Sequence, residues 1–281
     1  MENYRLTKTR LDDYARYLRR EERADATVEK YLRDAGAFAA WLGGGAATRE
    51  AAAGWKEQLL KEGMSPATVN AKLSAVNGLF RFLGWDSFRV RFLKVQRRAF
   101  RDADRELTRQ EYVRLLEAAR TLGRRRTELL LETICSTGIR VSEVRYITVE
   151  AAARGRAEVA LKGKVRTILL PAKLCRKLLR YGKKQKIASG EIFLSEDGRP
   201  ISRCRIWREM KQLCETAGVE PSKVFPHNLR HLFAAAFYQA TGDIVKLADV
   251  LGHSSINTTR IYLLSTGEEH ARCLERLGLV S

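Results

Sequence analysis

Residues 248–262 read ADVLGHSSINTTRIY. Ile244, Leu247, Ala248 and Leu251 fall on one side of a short helix, and Gly252 stands where a helix ends in the left-handed conformation. His253 follows at once and is held by that turn. Asn257 is then placed to cap a further helix carrying Tyr262. The spacing of nine residues lets this helix bring Tyr262 back toward His253. Two short helices joined through a glycine turn, with a histidine at the turn and a tyrosine on the return, set a helical fold.

The segment upstream has the same character. HNLRHLFAAAF, residues 227–237, follows Phe225-Pro226 and buries Leu229, Leu232, Phe233, Ala236 and Phe237 on one stripe. His227 and Arg230 are three apart at the helix start and share a face. They lie at the positive end of the helix dipole, where a phosphate binds well. The competing reading of His227 is a helix cap. His231 is read as a structural, hydrogen-bonding histidine. Further back, TGIRVSE (137–143) places Arg140 just after Gly138, between an apolar helix over 129–134 and a second carrying Val144 and Ile147. Glu143 is one turn on and is an available ion-pair partner. AEVALKGKVRTILLP (157–171) reads as a hairpin: Val159 and Leu161 alternate with polar or small neighbours, Lys162-Gly163-Lys164 turns, and a strand resumes over Ile168 to Pro171. Lys162 or Lys164 at that narrow tip can enter a DNA groove and give a proton to a departing 5′ oxygen. Local physics does not choose between them.

Arg140, Lys162, His227, Arg230, His253 and Tyr262 therefore form one candidate set: two guanidiniums, an ammonium, two imidazoles and a phenol. It suits charge stabilisation at a phosphodiester attacked by tyrosine, with Tyr262 as nucleophile.

The first hundred residues read as four short amphipathic helices, over about 8–20, 27–42, 49–62 and from Ser65-Pro66 to Leu83. Val28, Tyr31, Leu32, Phe38 and Trp41 form an aromatic-rich stripe read as core. QRRAFRDADREL, residues 96–107, is highly charged and aperiodic and reads as a linker. Thr108 and Glu111 then give a capping box opening a second, mostly helical domain. The expected division is a four-helix DNA-binding domain over 1–95, the linker over 96–107, and a catalytic domain with a C-terminal tail over 108–281. In that tail, GEEHARCLERLGLVS (267–281), Ala271, Leu274, Leu277 and Leu279 line one apolar side.

Composition agrees. Among 281 residues, 52 Lys and Arg face 33 Asp and Glu, for a net charge of +19 spread along the chain. Such an excess points to a polyanion, most often nucleic acid. Cys135, Cys175, Cys204, Cys214 and Cys273 include no Cys-x-x-Cys pair, so neither a zinc site nor a disulfide framework is expected. No signal peptide or membrane-length apolar run is read, and a cytoplasmic location is expected. No Walker A loop or acidic metal cluster is seen, so no cofactor and no metal is expected.

TGIRVSE, HNLRH and LGHSSINTTRIY, in that order, resemble the signature boxes of the tyrosine recombinase/integrase family. Thr27, Tyr31, Asp34, Phe38 and Trp41, followed by SPATVNAKLSAV (65–76), resemble that family's SAM-like core-binding domain. The resemblance implies a mostly α fold: a SAM-like four-helix domain, then an α-rich catalytic domain with a small β-hairpin. It implies that Arg140 and Arg230 clamp the scissile phosphate, that His227 and His253 hydrogen-bond it, and that Tyr262 forms a 3′-phosphotyrosyl link. The hairpin lysine is matched by Lys162, which precedes a glycine, although KGKVR is one residue shorter than the frequent KGxKxR form. A compact, two-domain, Xer- or Cre-like site-specific recombinase without an arm-binding domain is implied. Its partners would be a double-stranded DNA recombination site, a homotetramer on two paired sites with tails exchanged between neighbours, and an optional directionality protein. Two other readings are a non-catalytic DNA-binding regulator of the same fold and a type IB topoisomerase-like strand transferase.

Overall fold

The computed structural model describes residues 4–95, 105–161, 164–263 and 275–276. The chain divides into two compact units, 1–97 and 98–281. Both are helical, and the only sheet among the described residues is one antiparallel hairpin in the second unit.

In the first unit, α1 (Lys8–Arg20), α2 (Asp25–Trp41), α3 (Arg49–Lys61) and α4 (Pro66–Phe82) match the four expected helices closely. Local chemistry sets their ends. Thr7, Thr48 and Ser65 each accept a backbone N–H of the first turn of α1, α3 and α4. Pro66 takes the first position of α4, where its missing N–H costs nothing. Phe38, Trp55, Leu73 and Phe80 fill one core cluster and Tyr14, Leu18, Val28 and Leu79 another. Trp41 departs from the stripe expected of it. It is 43% exposed, because it is the last helical residue before Gly43 and Gly44 turn the chain away.

Two asparagines seven apart on α4 hold the extended segment that follows. Asn77 donates to the Val90 carbonyl at 2.9 Å and accepts the Val90 N–H at 3.1 Å. Asn70 does the same to Leu93, at 2.9 and 2.8 Å. Each amide thus stands in for one rung of a β-ladder.

The second unit opens with α5 (Arg109–Thr121), whose capping box between Thr108 and Glu111 is formed in both directions. Just before it, Leu107 is buried in this unit's core and the Arg105 carbonyl accepts a hydrogen bond from Asn228. Then come α6 (Arg125–Thr137), a 3-10 segment (Val141–Tyr146), α7 (Val149–Arg154), β1 (Arg156–Leu161), β2 (Lys164–Leu169) and α8 (Ala172–Lys184). Next are α9 (Arg203–Lys211), α10 (Cys214–Ala217), α11 (Pro226–Thr241), α12 (Ile244–Leu251), α13 (Ile256–Arg260) and a single 3-10 turn, Ile261–Leu263. The core runs from Leu115 and Leu129 through Val159, Ile168 and Leu178 to Leu213 and Leu229.

The hairpin differs from its expected outline. The second strand begins at Lys164, not at Ile168, and Leu161 pairs with Lys164. Backbone pairing runs on through residues whose side chains break the apolar pattern. Lys162 and Gly163, between the paired residues, lie outside the described residues, as does the tail over 267–281 apart from 275–276. No helix among the described residues is long and apolar enough to cross a membrane.

Candidate active site

The site is assembled where four segments end. α6 stops at Gly138, whose φ of +64° is the left-handed conformation that glycine adopts without strain. A Cβ at Gly138 would run into the Phe233 ring, so only glycine lets α11 pass this close. The turn leaves the Gly138 carbonyl facing inward, and Arg140 lies two residues on at the edge of the site.

Arg230, the fifth residue of α11, is 2% exposed. A buried guanidinium demands partners, and every nitrogen has one. Nη1 donates to the Gly138 carbonyl. Nη2 donates to the Leu251 carbonyl at 2.8 Å and to His253 Nε2 at 2.9 Å. Nε donates to the Tyr262 hydroxyl at 3.4 Å. One side chain thus joins the ends of α6 and α12 to the tyrosine.

His253 follows α12, which ends at Gly252 in the left-handed conformation. A guanidinium can only donate, so Nε2 must be the acceptor, and the neutral ring carries its proton on Nδ1. Nδ1 donates to Thr259 Oγ1 at 2.9 Å. Burial draws the His253 pKa down to about 4, and Arg230, Arg140, Arg166 and His227 add to the depression. The ring is therefore neutral at physiological pH. The His227 pKa is also lowered, first by burial and then by Arg230 and Arg140.

Tyr262 is buried against Ala234, Leu247 and Leu251. Its ring centroid is 5.5 Å from that of His253, 5.7 Å from that of His227 and 4.3 Å from that of His231. The return of the tyrosine to His253 is as the spacing suggested, but the details differ. Ser255, not Asn257, caps α13: its Oγ accepts the Asn257 N–H. Tyr262 lies in the 3-10 turn beyond α13, not within that helix. His227 is not a cap, since α11 begins at Pro226 with no side-chain cap.

Arg140 is held by Glu143. Its Nη1 donates to Oε1 at 3.0 Å and its backbone N–H to Oε2 at 2.8 Å. Its side chain remains 42% exposed, so this guanidinium has a face open to a ligand.

Thus Arg230, His253, Tyr262 and His227 come together, with Arg140 at the rim of the same group. Lys162 lies outside the described residues, and of Lys164 only the backbone is placed. Sequence reasoning missed His231 as a neighbour of Tyr262. The signal was its spacing of four from His227, which puts both rings on one face of α11. It also missed Thr259, which is buried and fixes the His253 tautomer.

A helical domain before a catalytic unit, with a buried arginine, flanking histidines and a tyrosine at converging helix ends, defines the class of DNA strand-transferring enzymes that use tyrosine. Residues 105–269 match the phage integrase family, and residues 11–87 match the phage integrase N-terminal SAM-like domain. The chain belongs to the phage integrase family. It is 29% identical over 280 residues to the tyrosine recombinase XerA of Thermococcus kodakarensis, covering 96% of this chain and 95% of that one. It is 32% identical over 217 residues to the tyrosine recombinase XerC of Roseiflexus castenholzii, covering 70% and 67%. Among solved structures, a lambda integrase dimer bound to a COC′ core site superposes with a TM-score of 0.73 at 19% identity, over 92% of this chain and 78% of that one. XerH bound to its difH substrate before cleavage gives 0.71 at 20% identity, over 95% and 84%. These two likenesses show the shared fold.

Proposed function

We propose that this chain is a site-specific DNA recombinase that cuts and rejoins DNA through a 3′-phosphotyrosyl intermediate. The observation that carries the reading is the convergence of Arg230, His253 and Tyr262 on one buried cluster, with Arg140 open beside it. In the proposed step the Tyr262 oxygen attacks phosphorus and the bond to the 5′ oxygen breaks. Arg140 and Arg230 stabilise the charge on the non-bridging oxygens, a task suited to the planar guanidinium fork. The phenol's proton passes to the neutral His227 imidazole, and the hairpin lysine, Lys162 or Lys164, supplies a proton to the 5′ oxygen. His253 orients Arg230. One phosphodiester is exchanged for another, so the step needs no external energy source, and a 5′ hydroxyl from a second strand reverses it.

By analogy with the lambda integrase tetramer solved on a Holliday junction, the working unit is a tetramer on two DNA sites. The tail over 267–281 is proposed to pack on the neighbouring protomer. The test begins by selecting bound duplexes from a random pool and nicking the recovered site to make a suicide substrate. The protein should become covalently attached to it, and Tyr262→Phe should not. No covalent adduct on any selected site would favour a non-catalytic regulator. Adducts without strand exchange between two sites would favour a topoisomerase-like transferase. Deleting residues after Thr266 should preserve binding to one site and abolish exchange.

A further inference from the structure

Along β2 the side chains alternate as in a half-buried strand. Val165, Thr167 and Leu169 are exposed, while Ile168 and, just beyond the strand, Leu170 are buried. Arg166 stands on the inward side, in a position this pattern would give to an apolar residue, with only 14% of its side chain exposed. A buried charge in such a place destabilises the fold unless its partners are well set.

The partners connect three parts of the site. Arg166 Nη2 donates to Glu143 Oε2 at 2.8 Å. That buried carboxylate also holds Arg140 by its side chain and its backbone N–H. Arg166 Nη1 reaches the Val250 carbonyl at 3.3 Å, in the last turn of α12. The Arg166 stem lies over Gly252, next to His253, and any Cβ on Gly252 would collide with it. Arg166 also sits only two residues from Lys164 and opposite Val159, near the hairpin tip. A two-stranded hairpin holds its own shape poorly, so β2 gains from an anchor outside the strand pair.

We propose that Arg166 is a positioning residue that docks the lysine-bearing hairpin onto the Arg140–Glu143 pair and the His253 turn, so that the lysine meets the departing 5′ oxygen. This rests on the reading of that lysine as the proton donor. In this proposal Arg166 acts through the hairpin and not on the reacting atoms.

A substrate with sulfur in place of the bridging 5′ oxygen tests it, because a thiolate leaves without a proton. The nicked suicide duplex is prepared in oxygen and sulfur forms. On the oxygen form, Arg166→Ala should cleave about 10²-fold more slowly than the parent chain, the lower end of general-acid contributions. On the sulfur form it should come within about threefold of the parent. Arg166→Lys, which keeps the charge and loses the fork, should show the same pattern more weakly and guards against a failure of Arg166→Ala to fold. Equal impairment of both Arg166 variants on the two forms would overturn the proposal, since Arg166 would then act on the phosphate or on the fold. Lys162→Ala and Lys164→Ala are run alongside. Sulfur rescue of one of them identifies the donor whatever Arg166 does. Rescue of neither removes the proton-donor reading, and this proposal with it.

Discussion

The Nε–H of Arg230 points at the Tyr262 hydroxyl across 3.4 Å. The other two guanidinium nitrogens are already committed to the Gly138 and Leu251 carbonyls and to His253. Four of the five guanidinium N–H groups are thus engaged, which leaves the second Nη1 hydrogen for a phosphate, and the bond to the phenol is the longest of the four.

This burial separates the two arginines. Arg140→Ala and Arg230→Ala should both cut cleavage by at least ~10²-fold, the scale for removing a preorganised charge stabiliser. Their stabilities should differ. Losing Arg230 strips donors from two inward-facing carbonyls, at about 1–3 kcal/mol for each group left unsatisfied, and the melting temperature should fall by at least ~5 °C. The exposed Arg140 should leave it within ~2 °C. Calorimetry of the two variants checks this, and equal melting temperatures would contradict the burial of Arg230. Arg230→Lys should also fail to cleave, since lysine cannot fill four bonds from a planar fork.

The depressed His253 pKa makes a statement about pH. The unfolded chain binds a proton at this residue below about 6.5, while the folded chain does so only near 4. Between those values the unfolded state holds more protons, so folding is weakened as pH falls and the full contribution is present above about 6.5. The melting temperature should drop as pH is lowered from 6.5 to 4, and His253→Gln should flatten that slope. An unchanged slope in the variant would mean that His253 is not the group being titrated.

Gly138→Ala should destabilise the second unit by more than ~1 kcal/mol from its positive φ alone. The collision with Phe233 adds to this. Because the Gly138 carbonyl anchors Arg230, cleavage should fall further than stability does. Urea denaturation together with suicide-substrate cleavage separates the two effects. A variant with parental stability would show that α11 does not pass so close.

In the first unit, Asn77→Ala leaves both the N–H and the carbonyl of Val90 without their partner and should cost about 2–6 kcal/mol at ~1–3 per group. Asn77→Asp keeps the acceptor and loses the donor, so its loss should be smaller. Denaturant midpoints of the two variants give the order. Parity between them would mean that the N–H of Val90 does not depend on Asn77.

Affinity for duplex DNA should fall steeply with salt. For ~6–10 phosphate contacts the loss is about 10³–10⁵ between 50 and 200 mM. A filter-binding titration over that range suffices, and a nearly flat response would contradict the reading of the +19 charge.

Helices were legible in the sequence wherever apolar periodicity and a cap coincided, as at Ser65-Pro66 and at Thr108 with Glu111. Arg140, His227, Arg230 and His253 were legible because each sits near a helix end marked by glycine or proline, and Tyr262 by its spacing of nine from His253. What escaped was set by contacts distant in sequence. That Arg230 is nearly fully buried depends on carbonyls 92 and 21 residues away. That His253 donates from Nδ1 depends on a threonine with no signature of its own. The inward turn of Arg166 follows from strand pairing that began four residues earlier than the apolar pattern showed.

Tyr262 packs against residues of α11 and α12, and it is also the last of the proposed catalytic residues in chain order. During synthesis the arginines and histidines leave the ribosome before the tyrosine does. On the proposed reading, a chain that stalls short of residue 262 carries both arginines and both histidines but lacks the nucleophile.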